Sequence, residues 1–199
     1  MAAAGAMNAA PPAPGARVDL AALSPAGPCE RLSQRPDLLR ASALLQDFTA
    51  AEADVLGAAM LLVRAGPGQV LIAEGTVDDW MMLLLSGTVD VTKRKVGADS
   101  DAQEPGDTTR LAVIRPGAVI GEMSMLDGEP RYATCTALED VEAAVLTRSA
   151  VGKLIQQHPA VGAKLLVKIT QLLAQRLRNT SNQLVKRLRV DGASEHFPG

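Results

Sequence analysis

Apolar residues in this chain follow three successive rhythms. Over residues 37–60 they come in helical groups. Leu38, Leu39, Leu44 and Leu45 suit a short helix, and Val55, Leu56 and Met60 form an apolar face behind Thr49-Ala50-Ala51-Glu52, which has the spacing of a capping box. From Leu61 to Leu146 the runs shorten and are divided by glycine or proline: LLVRAGPGQVLIAEG, WMMLLLSGTVDVTKRK, TTRLAVIRPGAVIGE and YATCTALEDVEAAVLTR. Runs of this length with such breaks predict many short antiparallel strands closing into a roll or barrel. The polar stretch 95–109, KVGADSDAQEPGDTT, is too long for a tight turn and predicts a mobile loop between paired strands. Beyond Ser149 the helical rhythm returns. A short helix is expected over about 149–157 and a long one over 159–189, with Pro159 suited to its first turn. In the long helix Leu173, Leu177, Thr180 and Leu184 step by four, three and four, which is a coiled-coil spacing. That stripe predicts packing against its own domain, a two-helix dimer seam, or both.

The ends of the chain read differently. Residues 1–36 open with a stretch rich in alanine, proline and glycine that has almost no charge, and they are expected to form a disordered leader; 190–199 are expected to be a tail. This leaves 37–189 as one domain, in keeping with a length of 199 residues.

Composition narrows the picture further. Hydrophobic residues make up 47% of the chain but aromatic residues only 2%, so the core is expected to be aliphatic and platforms for stacking nucleic-acid bases are scarce. The net charge of −2 exerts no global pull on nucleic acids or acidic membranes. One local exception is the last helix, where Lys164, Lys168, Arg176, Arg178, Lys186, Arg187 and Arg189 occur with no acid between Val161 and Arg189. Such a run is read as a solvated face or as a contact for an anionic partner. Cys29 and Cys135 are the only cysteines, in contexts that suit a disordered tail and a buried strand, and indicate neither a disulfide framework nor a zinc site. His158 and His196 are the only histidines and lie outside the roll, whereas metal-dependent enzymes of roll shape need two or three converging imidazoles. The expectation is therefore a non-enzymatic protein with no metal and no catalytic cofactor. With no secretory leader and no run of about 18 apolar residues, a cytoplasmic protein without a membrane span is expected.

The stretch 120–134, IGEMSMLDGEPRYAT, carries the candidate chemistry. Glu122 follows Gly121, and Arg131 comes nine residues later across a bend. An ion pair is the simplest reading of that combination. Three features argue for more. Gly121 removes a side chain where a ligand could approach the backbone. Met123-Ser124-Met125-Leu126 suits one helical turn whose free N–H groups favour an anion. Arg131 supplies a planar fork for two phosphate oxygens. Glu122 would repel phosphate unless it accepts from a neighbouring hydroxyl. A ribose 2′-hydroxyl held close to its own phosphate satisfies both residues, and a cyclic nucleotide has that arrangement.

GEMSMLDGEPRYAT also resembles the phosphate-binding cassette of cyclic-nucleotide-binding domains, such as the ligand-binding domain of bacterial catabolite activators. RAGPGQVLIAEG, LLLSGTVDV and RPGAVIGE resemble that family's glycine-punctuated strands, with Gly68, Gly75, Gly87 and Gly117 where its structural glycines recur. The resemblance implies a mainly β fold: a β-roll of the double-stranded β-helix or jelly-roll type, with N-terminal helices and a long C-terminal helix. It implies ligand contact by Gly121, Glu122, Met123, Ser124, Arg131, Tyr132 and Ala133, with Glu122 on the ribose 2′-hydroxyl and Arg131 on the cyclic phosphate. RLRNTSNQL is similar to the segment that reads adenine from two subunits of a dimer, placing Thr180 and Ser181 in that role. Tyr132 departs from the family's usual Ser, Thr or Ala; its hydroxyl reaches the phosphate or ribose, or its ring packs outward. Base preference, cyclic AMP or cyclic GMP, is accordingly open. The expected function is a stand-alone cyclic-nucleotide sensor, most simply for cyclic AMP, that acts as a homodimer and signals through its last helix to a protein effector. With ten residues after Arg189, no appended DNA-binding domain is expected. The alternative is a ligand-independent dimeric scaffold with a degenerate pocket.

Overall fold

The computed structural model describes residues 23–29, 31–95 and 108–194, with side chains as far as 185. Strand β1 (Ser24–Pro28) is followed by a 3-10 turn (Leu32–Gln34) and helices α1 (Pro36–Ala41) and α2 (Ala50–Ala58). Eight further strands follow: β2 (Leu61–Ala65), β3 (Val70–Ile72), β4 (Trp80–Ser86), β5 (Val89–Arg94), β6 (Thr108–Ile114), β7 (Val119–Ile120), β8 (Thr134–Ala137) and β9 (Val141–Thr147). Helix α3 (Glu122–Asp127) lies between β7 and β8, and α4 (Arg148–Gln157) and α5 (Pro159–Ser194) close the described chain.

The strands form two antiparallel sheets, ordered β1-β2-β9-β4-β7 and β3-β8-β5-β6. Strand β4 shows why this roll can be read from its sequence. Trp80, Met82 and Leu84 point into the core between the sheets, while Met81, Leu83 and Leu85 point into a second core beneath the helices. A strand covered on both faces needs an unbroken apolar run, and WMMLLL supplies it. Its partner β9 repeats the division, with Ala143 and Val145 inward and Ala144 and Leu146 toward the helices, in a register that sets Met82 opposite Val145. Gly68, Gly75, Gly87 and Gly117 all have φ between 79° and 91°, as turn positions. At Gly87 the need is absolute, since a Cβ would lie 2.4 Å from the Asp140 carbonyl oxygen.

The capping box forms as expected. The Thr49 side chain accepts from the Glu52 N–H, and Glu52 accepts from the Thr49 N–H at 2.8 Å. Glu52 also receives Lys164 of α5 at 2.7 Å, which ties the second helix to the last one. That ion pair and the cap bonds hold the Glu52 carboxyl down at about 2. Thr49→Ala is expected to lower stability by about 0.5–2 kcal/mol, as a shift in the urea midpoint at unchanged slope. An unchanged midpoint would mean that the cap contributes nothing.

Three expectations are corrected. The expected leader 1–36 extends too far, because Ser24–Pro28 pairs with β2 and Leu23, Cys29 and Leu32 are buried. Ser24–Pro28 is an exposed edge strand without a charged side chain; residues 1–22 lie outside the described residues. Cys29 is accordingly a core residue, and burial raises its thiol pKa. Helix α5 passes Arg189 and continues to Ser194. No proline intervenes there, and Gly192 costs a helix only about 1 kcal/mol. The expected 95–109 loop does join paired strands, β5 and β6, but 96–107 lie outside the described residues.

Candidate functional site

Gly121 ends β7 and starts α3 in one step. Its φ of 77° is left-handed, and its open Cβ position lies 2.5 Å from Arg131 Nη1. A side chain would therefore collide with the guanidinium, so glycine is required on two counts. The following residues form the single short helix that their composition predicts, and Gly128 terminates it with φ 78°. Arg148, the first residue of α4, grips the far end of α3: its Nε donates to the Met125 carbonyl at 2.6 Å and its Nη2 to that of Ser124 at 3.2 Å.

Arg131 is buried, with 2% of its surface exposed. Nη1 donates to the Gly121 carbonyl and Nη2 to the Trp80 carbonyl, both at 2.7 Å. Nε lies 3.6 Å from Asp78 Oδ2, and the guanidinium sits 4.2 Å from the centre of the Trp80 ring. Burial lowers the pKa of the guanidinium and the Asp78 carboxylate opposes that shift. Its backbone is fixed as well, donating to the Thr76 carbonyl at 2.7 Å. The fork is thus preorganised by two strands and a turn before any ligand arrives.

Glu122, only 1% exposed, is not paired with Arg131. Its partner is Arg176 of α5, which also donates to the Val119 carbonyl. The simple ion pair between the two cassette residues is therefore not what forms.

Both residues open onto a cavity of about 350 Å³. Its lining includes Gly121, Glu122, Met123, Ser124, Arg131, Tyr132, Ala133 and Thr180, eight of the nine expected contact residues. Aliphatic side chains from the strands, among them Ile72, Val91, Leu111 and Ile120, form the apolar wall. Cys135 also faces it, and burial pushes its thiol up to about 12, so it is no nucleophile at neutral pH. Tyr132 stands at the mouth, 57% exposed. Lys93 lies 4.1 Å from its ring centre and donates to its carbonyl at 2.7 Å, so the ring faces outward while one edge borders the cavity.

Ser181 is the exception, since it does not line this cavity. An α-helix turns about 100° per residue, which swings Ser181 well away from Thr180. The residues of α5 that do face the cavity are Arg176, Asn179, Thr180 and Gln183. Their i, i+3, i+4, i+7 spacing was legible as a polar stripe beside the leucine seam. The leucines nearer the middle of the helix draw attention first, and so hide it.

The basic run of α5 is also less exposed than its sequence suggests. Lys164 pairs with Glu52, Lys168 with Asp47 and Arg176 with Glu122, so three of the seven charges bind their own domain. Leu173 packs on the helical core, but Leu177 is 70% exposed and Leu184 57% exposed. Packing on its own domain therefore explains only the first residue of the seam.

This fold, with a short helix and a buried arginine at the floor of an apolar cavity roofed by a long helix, is that of the cyclic nucleotide-binding domain family, to which the chain belongs. Residues 62–158 match that family. Among solved structures, a cyclic nucleotide-binding domain from Methylobacillus flagellatus KT is similar with a TM-score of 0.70 and 30% identity, over 83% of this chain and 89% of that one. Among curated proteins, the CRP-like cAMP-activated global transcriptional regulator of Mycobacterium tuberculosis is 29% identical over 124 residues, covering 62% of this chain and 50% of the relative. The cyclic AMP receptor protein of Thermus thermophilus is 32% identical over 117 residues, covering 59% and 49%. The chain spans about half the length of these curated relatives. Among the described residues there is no helix long and apolar enough to cross a membrane, and no cluster of three metal-binding side chains.

Proposed function

We propose that this chain is a sensor module for cyclic AMP that transmits occupancy through α5. One observation carries the reading: Glu122 and Arg131, both buried, open onto one cavity beside the N-terminal turn of α3 while remaining apart from each other. The cyclic phosphate takes Arg131 and the first amides of α3, and the ribose 2′-hydroxyl donates to Glu122. Two relatives whose names include cyclic AMP support that choice of nucleotide. No catalytic step is proposed.

Transmission follows from Arg176. Its pairing with Glu122 ties α5 to the ligand site, so a hydroxyl that takes over the carboxylate alters what holds the helix. A ligand shifts a conformational equilibrium only through such a difference between states. The exposed Leu177 and Leu184 support a homodimer along α5, with Ser181 turned across that seam toward the partner's cavity. A separate protein would read the change.

Calorimetric titration of the full chain with cyclic AMP and cyclic GMP tests this reading. Heat of binding is expected with cyclic AMP, and Glu122→Gln is expected to weaken it by more than tenfold, in line with about 2 kcal/mol for a hydrogen bond to a charged group. Absence of heat with either nucleotide at millimolar concentration would sink the proposal. It would favour the alternative, a ligand-independent scaffold, for which one observation speaks: the two terminal nitrogens of Arg131 and the carboxylate of Glu122 already have protein partners.

A further inference from the structure

Strands β5 and β6 supply one wall of the cavity through Val91, Leu111, Ala112 and Ile114, while Gly121, Glu122 and Arg131 belong to its floor. Wall and floor must keep a fixed spacing if one ligand is to touch both. The backbone ladders stop short of providing it. Between β5 and β8 the ladder ends at Thr92 opposite Thr134, and between β3 and β8 at Ile72 opposite Cys135. Beyond that point Arg131 exchanges backbone bonds with the turn after β3: its N–H donates to the Thr76 carbonyl at 2.7 Å, and its carbonyl accepts from the Gly75 N–H at 2.9 Å.

Where the ladder stops, one side chain makes the connection to β5. Lys93, the next residue of that strand, donates to the Tyr132 carbonyl at 2.7 Å and to Glu74 Oε1 at 3.1 Å. Glu74 lies beside Gly75 and Thr76, and its second oxygen accepts from the Arg94 N–H at 3.0 Å. Its own N–H donates to Thr134 Oγ1 at 3.1 Å. One ammonium and one carboxylate thus join the end of β5, the turn after β3 and the residue that follows Arg131. The pair is partly buried, so water and salt screen it less than a bridge on the open surface. Neither Lys93 nor Glu74 lines the cavity.

We infer that Lys93, anchored by Glu74, is a positioning residue for ligand binding: the pair clasps the β5–β6 wall to the segment that bears Arg131 and so sets the span a ligand must bridge. This rests on the reading of the chain as a cyclic-nucleotide sensor. A nucleotide whose phosphate takes Arg131 meets the wall with the rest of its surface, and a wall that draws away loses this contact while the fold persists. The clasp dictates the sign of one effect in which charge alone would act oppositely. Lys93 joins Glu74 to Tyr132, which stands at the mouth of the cavity. Removing the charge of Glu74 leaves the mouth more positive, which by itself attracts an anionic ligand. Removing its hold on Lys93 loosens the wall and weakens binding.

The test is calorimetric titration of the full-length protein with cyclic AMP and cyclic GMP, as the parent and as Glu74→Gln, Lys93→Met and Lys93→Arg. Glutamine and methionine keep the bulk of the side chains they replace, and urea midpoints check that each variant folds. Glu74→Gln and Lys93→Met are each expected to weaken binding of the nucleotide that the parent prefers by about three- to tenfold. Lys93→Arg, which keeps the charge and the reach to both acceptors, should return to within about twofold of the parent. Stoichiometry should stay unchanged, whereas a purely structural role would lower the fraction of competent molecules and leave the affinity of the remainder as it was. Tighter binding by Glu74→Gln, or affinities of Glu74→Gln and Lys93→Met within about twofold of the parent, would overturn the inference and leave the sensor reading standing. Absence of binding by the parent to both nucleotides overturns the sensor reading, and the inference with it.

Discussion

Arg131→Ala is expected to lower folding stability by about 3–5 kcal/mol, the usual cost of removing one partner from a buried charged pair. The size of the effect follows from the number of groups that this one side chain serves. Its two terminal nitrogens satisfy the carbonyls of Gly121 and Trp80, which lie in segments far apart in sequence. Its charge faces the buried Asp78 at 3.6 Å, and its plane rests on Trp80. Alanine would leave two carbonyls without their donor, a carboxylate without its counter-charge, and a void beside an aromatic ring. Urea denaturation monitored by Trp80 fluorescence, the only tryptophan in the chain, reads the loss directly. Arg131→Lys should fall between the two, because it keeps the charge and loses the fork. A loss below about 1 kcal/mol for alanine would show that the guanidinium is not holding these segments together.

Gly121→Ala should have the second largest effect, for a different reason. The left-handed φ of 77° alone costs a residue with a side chain about 1–3 kcal/mol. The new methyl group would also stand 2.5 Å from Arg131 Nη1 and 3.0 Å from Ile72 Cδ1. Because Nη1 is held by the carbonyl of Gly121 itself, the guanidinium cannot yield without breaking its own bond. The variant is expected to remain folded at low temperature and to bind cyclic AMP at least tenfold more weakly than the parent, measured by titration alongside its urea midpoint. Unchanged affinity would mean that the position of the guanidinium is irrelevant to the ligand. A comparison of the two variants is informative: alanine at 131 removes the group, whereas alanine at 121 only moves it.

Much of the fold could be read from local pattern. The run WMMLLL announces a strand buried on both faces, and the Thr49 and Glu52 spacing announces the start of a helix, because both depend on neighbours within a few residues. The error at Ser24–Pro28 has the opposite origin. SPAGP has no alternating pattern, and it becomes a strand only because the edge of β2 is available to pair with it. Within the site, Gly121, Glu122 and Arg131 were legible since they lie close together in sequence. Arg148 was not, since its role arises only when the start of α4 meets the end of α3.

What the sequence by itself determined are the local conformations and the chemical inventory: short strands with glycine at their turns, a one-turn helix after Gly121, an acid and a base on either side of it, and a long basic helix. These follow from steric limits on the backbone and from periodicity, which operate over a few residues. Which charges meet was decided only by the tertiary structure. It gives Glu122 to Arg176, fifty-four residues away, and sets Arg131 between the Gly121 and Trp80 carbonyls. It also divides α5 into a face for the cavity and a face without cover, separating Thr180 from Ser181. Such pairings depend on how the sheets and helices pack together, and the energy of a buried charge is set by the groups that packing brings to it.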